Sequence, residues 1–144
     1  MFKKILAVLT IYHHNCRILH WKLKDTNFDK YHELAADYYD HLQEDLDKLV
    51  EIAITYNENP LSLLDAYEVL KDNEEDNFKI LTPEDDYSAE DFQENIEIMF
   101  NDIMKCIREI LDEGIEDNPG VRSELETMYF YYDKECNYKN KRRR

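Results

Sequence analysis

Between Phe28 and Tyr56 apolar residues return every three or four positions almost without error: Phe28, Tyr31, Ala35, Tyr38, Leu42, Leu46, Leu49, Ala53 and Tyr56. That period marks one face of an α-helix, and a face sustained over about eight turns is a helix–helix packing seam. The acids Asp37, Asp40, Glu44 and Asp45 fall between the seam positions and read as a solvated surface.

The rest of the chain supplies partners for this helix. Phe2 to Lys22 repeats Ile5, Leu6, Leu9, Tyr12, Cys16 and Leu19 at helical spacing, which predicts one buried stripe. A polar turn follows, with Asp25, Thr26 and Asn27 as plausible caps. Asn59-Pro60 is expected to open a short helix whose apolar face is Leu63, Leu64, Tyr67 and Leu70. With the acidic run after it, Asn57 to Tyr87 forms a long crossover, and residues 71 to 87 are expected to be its most mobile stretch. Ser88 and Asp91 resemble a capping box ahead of a helix from Ala89 to Glu113, buried through Phe92, Ile96, Met99, Phe100, Ile103, Ile107, Ile110 and Leu111. Gly114 should stop that helix. Asn118-Pro119 starts the last one, with Val121, Leu125, Met128, Tyr129 and Tyr132 inward and fraying expected near Cys136. Four long helices and one long crossover between the second and third is the ferritin-like arrangement. The expectation is an all-α four-helix bundle over residues 1–138, with a basic tail at 139–144.

Composition agrees. In 144 residues there are two glycines and three prolines, and 35% are charged, which favours helix and one domain. The formal charge of -15 makes an acidic body that attracts cations and repels bare nucleic acid. Cys16, Cys106 and Cys136 show no CxxC spacing, so reduced thiols in a cytoplasmic setting are the simplest reading. The apolar N-terminal run is short and lacks a small-residue cleavage site, and no segment approaches a membrane span.

Chemistry concentrates around the first turn. His20 ends the first helix, His32 lies early in the second, and Asp47 and Glu51 lie near its end. Imidazole and carboxylate together are ligands for iron, manganese and zinc. Asp47 and Glu51 share a helix face. His32 lies fifteen residues before Asp47, roughly 22 Å along the axis, too far to share an ion within one chain. Either these residues are unrelated, or an antiparallel second copy brings them together across a two-fold axis. No ExxH lies on the third or fourth long helix, which argues against a di-iron centre inside one subunit.

His20-Trp21, Phe28, His32-Glu33, Asp47 and Glu51, at these separations, resemble the signature of the Dps mini-ferritins. The resemblance implies that His20 and His32 of one subunit and Asp47 and Glu51 of its two-fold partner hold iron, with zinc or manganese as surrogates. It also implies ferroxidation by peroxide or oxygen, iron storage inside a homo-oligomer as large as a dodecamer, a crossover helix packed at the two-fold, and a redox-active neighbour in Trp21. Two departures stand out. A further acidic ligand of the family is Ala36 here, and a family glycine in the turn is Asp25, a residue that tolerates a left-handed backbone. His13 and His14 read mainly as structural histidines. Lys139, Lys141, Arg142, Arg143 and Arg144 could grip a DNA backbone, though a tail this short on an acidic body is a modest footprint. The competing reading is a non-enzymatic ferritin-like structural or interaction protein, viral for instance, with a vestigial metal site.

Overall fold

In the computed structural model, which describes residues 1–72, 78–115 and 117–143, five α-helices follow one another: α1 Lys3–Lys22, α2 Phe28–Thr55, α3 Leu63–Lys71, α4 Ala89–Asp112 and α5 Pro119–Asp133. The last runs on without a break as a π-helical segment, Lys134–Asn140. Four long helices form the bundle, and α3 lies on α1 within the crossover. Among the described residues there is no strand, only an isolated parallel bridge between Leu23 and Tyr87.

α1 is buried nearly all round rather than along one stripe: Ala7, Val8, Ile11 and Ile18 are covered as well as Ile5, Leu6, Leu9, Tyr12, Cys16 and Leu19. It packs on α2 and α4 on one side, and on the other α3 and the crossover cover what would otherwise face water. Asn15, also buried, fastens that cover. Its amide donates to the Lys79 carbonyl (2.7 Å) and accepts from the Leu81 amide (3.0 Å), as a strand neighbour would. Of the 71–87 stretch, residues 73–77 lie outside the described residues.

The seam of α2 goes inward at Tyr31, Ala35, Tyr38, Leu42, Leu49 and Ala53, with Leu46 half-buried and Phe28 exposed. Asp45 joins it, which corrects its assignment to the solvated face. α3 begins at Leu63, not at Asn59-Pro60, because Ser62 and Asp65 form a reciprocal capping box. It buries Ala66 and Leu70, whereas Leu63 and Leu64 remain 64% and 68% exposed. The Ser88–Asp91 box starts α4 as expected, and Gly114 ends it at φ +98°, where a side chain would be strained.

Asp25 does not take a left-handed backbone; Asn57 (φ 61°) is the only non-glycine that does among the described residues. Its carboxylate accepts from the Asn27 amide and from the Ala89 amide, each at 3.0 Å. The first turn is thereby tied to the N-terminus of α4, where negative charge is favoured. Those amides hold the Asp25 carboxyl below its ordinary value.

The C-terminus does not fray at Cys136. Asn140 is fully buried and donates to the Gln93 carbonyl (2.9 Å), and Arg143 donates to the Tyr38 hydroxyl (3.1 Å). Lys139 pairs with Glu135 at 3.0 Å. Helical backbone therefore continues past residue 138, and part of the basic segment is spent on the body of the protein. No helix among the described residues is long and apolar enough to cross a membrane.

Candidate metal site

The antiparallel approach of α1 and α2 across a five-residue turn sets the last turn of one beside the second turn of the other. His20 and His32 meet there. Each Nδ1 lies within hydrogen-bonding distance of the other residue's carbonyl, 2.8 Å from His20 to His32 O and 2.7 Å from His32 to His20 O. A carbonyl can only accept, so both rings carry their proton on Nδ1 and donate it. The His20 carbonyl, in the last turn of α1, has no partner inside its own helix, and the His32 ring supplies one. The rings stack at 3.8 Å with 15° between planes. Phe28 stacks on the outer face of His32 (4.7 Å) and Tyr39 meets His20 edge-on (5.5 Å).

An imidazole tethered by its Nδ1–H has Nε2 as the nitrogen left to ligate a metal. Metal-binding histidines are oriented in this manner, with the second nitrogen donating to a carbonyl or carboxylate. Both side chains are half-buried. The donor set fits a divalent metal.

Asp47 and Glu51 lie exposed on the outer side of α2. The structure brings His20 and His32 together and leaves the carboxylates apart from them. Among the described residues no group of three or more His, Cys, Asp or Glu could hold a metal within one chain. Ala36, one turn beyond His32, adds no donor. Trp21 is 57% exposed with the Arg17 guanidinium 4.8 Å above its ring. His13 packs edge-on against Tyr39 (5.8 Å), its Nε2 buried without a hydrogen-bond partner among the described residues. Burial first, then Arg17 and His14, push its pKa down. It stays neutral beside the pair rather than within it.

A second polar constellation went unread in the sequence. Tyr132 on α5 is fully buried and donates to Asp45 Oδ2 at 2.6 Å, and His41 Nε2 lies 3.2 Å from the same oxygen. Burial and the Asp45 carboxylate hold the Tyr132 phenol in its protonated form, far above its ordinary pKa. The signal was available: Leu42, Asp45 and Leu49 step by three and four, so Asp45 is in phase with the seam.

No protein-family model and no curated protein sequence matches the chain. Solved structures do. Helicobacter cinaedi CAIP superposes with TM-score 0.85 at 14% identity, covering 99% of this chain and 95% of that one. A Dps protein of Vibrio cholerae O1, described as a member of the ferritin-like diiron-carboxylate superfamily, gives 0.82 at 20%, covering 94% and 81%. Staphylococcus aureus Dps gives 0.72 at 22%, covering 96% and 87%. The likeness establishes the fold: a ferritin-like four-helix bundle of the Dps type, divergent in sequence.

Proposed function

We propose that this protein is a Dps-like mini-ferritin that oxidises Fe(II) and stores the ferric product, its site shared between two chains across a two-fold axis. The reciprocal tethering of His20 and His32 carries this reading. It fixes two Nε2 lone pairs on one patch of surface, and nothing among the described residues of the same chain completes the site. An antiparallel second copy would bring its Asp47 and Glu51 to that patch. Exposed Leu63, Leu64, Tyr67 and Trp21 support a chain that buries more surface on assembling.

In the mechanism Fe(II) is the substrate, giving its electron to peroxide or oxygen. The imidazoles bind the ferrous ion, and their Nδ1 tethers hold both rings in the ligating tautomer without rearrangement. The partner's carboxylates would match the charge of the ferric product. The acidic body draws cations toward the site. With Ala36 in place of an acid, the site holds one ion more firmly than a second. Ala36 also favours the alternative, a ferritin-like interaction protein that has lost turnover.

DNA is a weaker partner for this chain. Lys139 and Arg143 are engaged with Glu135 and Tyr38, leaving Lys141 and Arg142 as the exposed basic residues among those described at this end.

Complementation tests the shared site. His20→Ala/His32→Ala and Asp47→Ala/Glu51→Ala should each abolish iron oxidation in their own assemblies. Mixed under subunit exchange, they rebuild one complete site at every mixed two-fold contact, so partial activity returns. Mixtures that exchange yet regain nothing would refute the shared site, and iron binding without oxidation in the unsubstituted protein would favour the alternative.

A further inference from the structure

The bundle core contains a chemistry that the metal site does not use. Tyr132 donates to a carboxylate that is itself 3% exposed, and His41, whose side chain is 30% exposed, links that carboxylate to solvent. Tyr131 stacks on His41 at 3.4 Å and meets Tyr132 at 5.1 Å. From Tyr132 aromatic rings continue through the core: Phe100 at 5.0 Å, Tyr38 at 5.0 Å, Phe92 at 6.1 Å and Tyr31 at 5.3 Å. Tyr31 immediately precedes His32.

We propose that Tyr132 is a redox-active tyrosine, a buried one-electron donor that quenches strong oxidants formed from peroxide and ferrous iron, with Asp45 as its proton acceptor. A phenol loses an electron easily only if its proton leaves too, because a phenol radical cation in an apolar core is severely penalised. Tyr132 is fully buried, so the base must be built in beside it. The balance closes. The Tyr132 O–H bond breaks, the electron passes through the rings to the oxidant, and the proton moves to Asp45 Oδ2. What remains is a neutral phenoxyl radical hydrogen-bonded to a carboxylic acid. Transfer of an electron from a further Fe(II), with return of the Asp45 proton, restores the tyrosine.

The other tyrosines on the path are set differently. Tyr38 accepts from the Arg143 guanidinium and Tyr31 accepts from the Gln93 amide, and neither acceptor contact supplies a base. Tyr12 also donates to a carboxylate, Asp102, and packs against Phe78, so it serves as the comparison in the test.

The source of the oxidant rests on the proposed iron chemistry, so the test separates the two. The iron-free protein is treated with hexachloroiridate(IV), a one-electron oxidant, freeze-quenched and examined by electron paramagnetic resonance. Ring-deuterated tyrosine identifies a tyrosyl signal by narrowing its lines. The signal is expected in the unsubstituted chain and in Tyr12→Phe, at least fivefold weaker in Asp45→Asn, and absent in Tyr132→Phe. Circular dichroism verifies folding, and Asp45→Asn keeps the tyrosine and nearly the same shape. An undiminished signal in folded Tyr132→Phe or Asp45→Asn overturns the assignment. A second arm uses Fe(II) and peroxide. If iron is taken up and oxidised but no Tyr132 radical forms, the role as quencher is overturned. If no iron is bound, the proposed function fails while the iridate arm still decides the tyrosine.

Discussion

The His20–His32 pair at the first turn and the Asp45–Tyr132 pair where α2 meets α5 draw on similar polar side chains and end in opposite conditions. The histidines satisfy their inner nitrogens and leave the outer ones open at a half-buried surface. Asp45 and Tyr132 satisfy each other inside the core. Water can serve an open nitrogen until a metal and a second chain arrive, so a half-built site costs the folded chain little. A half-built pair in the core would have no such substitute, and it has to be complete within one chain. The first region is built for assembly and the second for a closed interior.

Breaking the second region should therefore cost far more stability. Tyr132→Ala removes a fully buried ring and strips Asp45 of its donor, and a loss of about 3–5 kcal/mol in urea unfolding is expected. His20→Ala/His32→Ala loses two side-chain hydrogen bonds, about 1–2 kcal/mol, while metal binding measured by titration calorimetry disappears. If the histidine variant proved the less stable of the two, the contrast would be wrong. Ser88→Ala removes a cap whose side chain bonds to neither pair, with an expected cost of about 1 kcal/mol and iron binding unchanged.

The smallest effect sharpens the comparison through pH. Asp25 ties the turn between the histidines to α4, and its carboxyl is held below the ordinary 3.8 first by the Asn27 amide and then by the Ala89 amide. A depressed folded value means that its contribution is complete above 3.8 and is lost as pH falls below that. Asp25→Ala should lower the melting temperature slightly at neutral pH, and the gap from the unsubstituted protein should close in acid. A gap that widened in acid would reverse the sign.

What could be read in advance followed periodicity. The α2 seam, the Ser88 box and the Gly114 stop depend on residues within a turn or two of one another, and local chemistry decides them. Asp45 was misassigned because its residue type was weighed above its phase. The start of α3 shifted because Ser62 offers two reciprocal hydrogen bonds where Asn59-Pro60 offers a conformational bias. The histidine tethers depend on how closely two helices approach, which no spacing along one chain encodes. The basic C-terminus looked like a tail by composition, yet Arg143 finds Tyr38 105 positions away in sequence.

The π-helical stretch Lys134–Asn140 has a consequence in the language of insertions and deletions. Bonds that reach back five residues instead of four fit an extra residue into the turn. Losing one codon there should restore ordinary pitch and leave the residues downstream on the faces they hold now, whereas losing one from an α-helical turn would rotate them by about 100°. Arg143 would stay within reach of Tyr38 in the first case and lose it in the second. Relatives that lack the bulge should be aligned with a one-residue gap between 134 and 140, and their residues beyond it compared only after that shift.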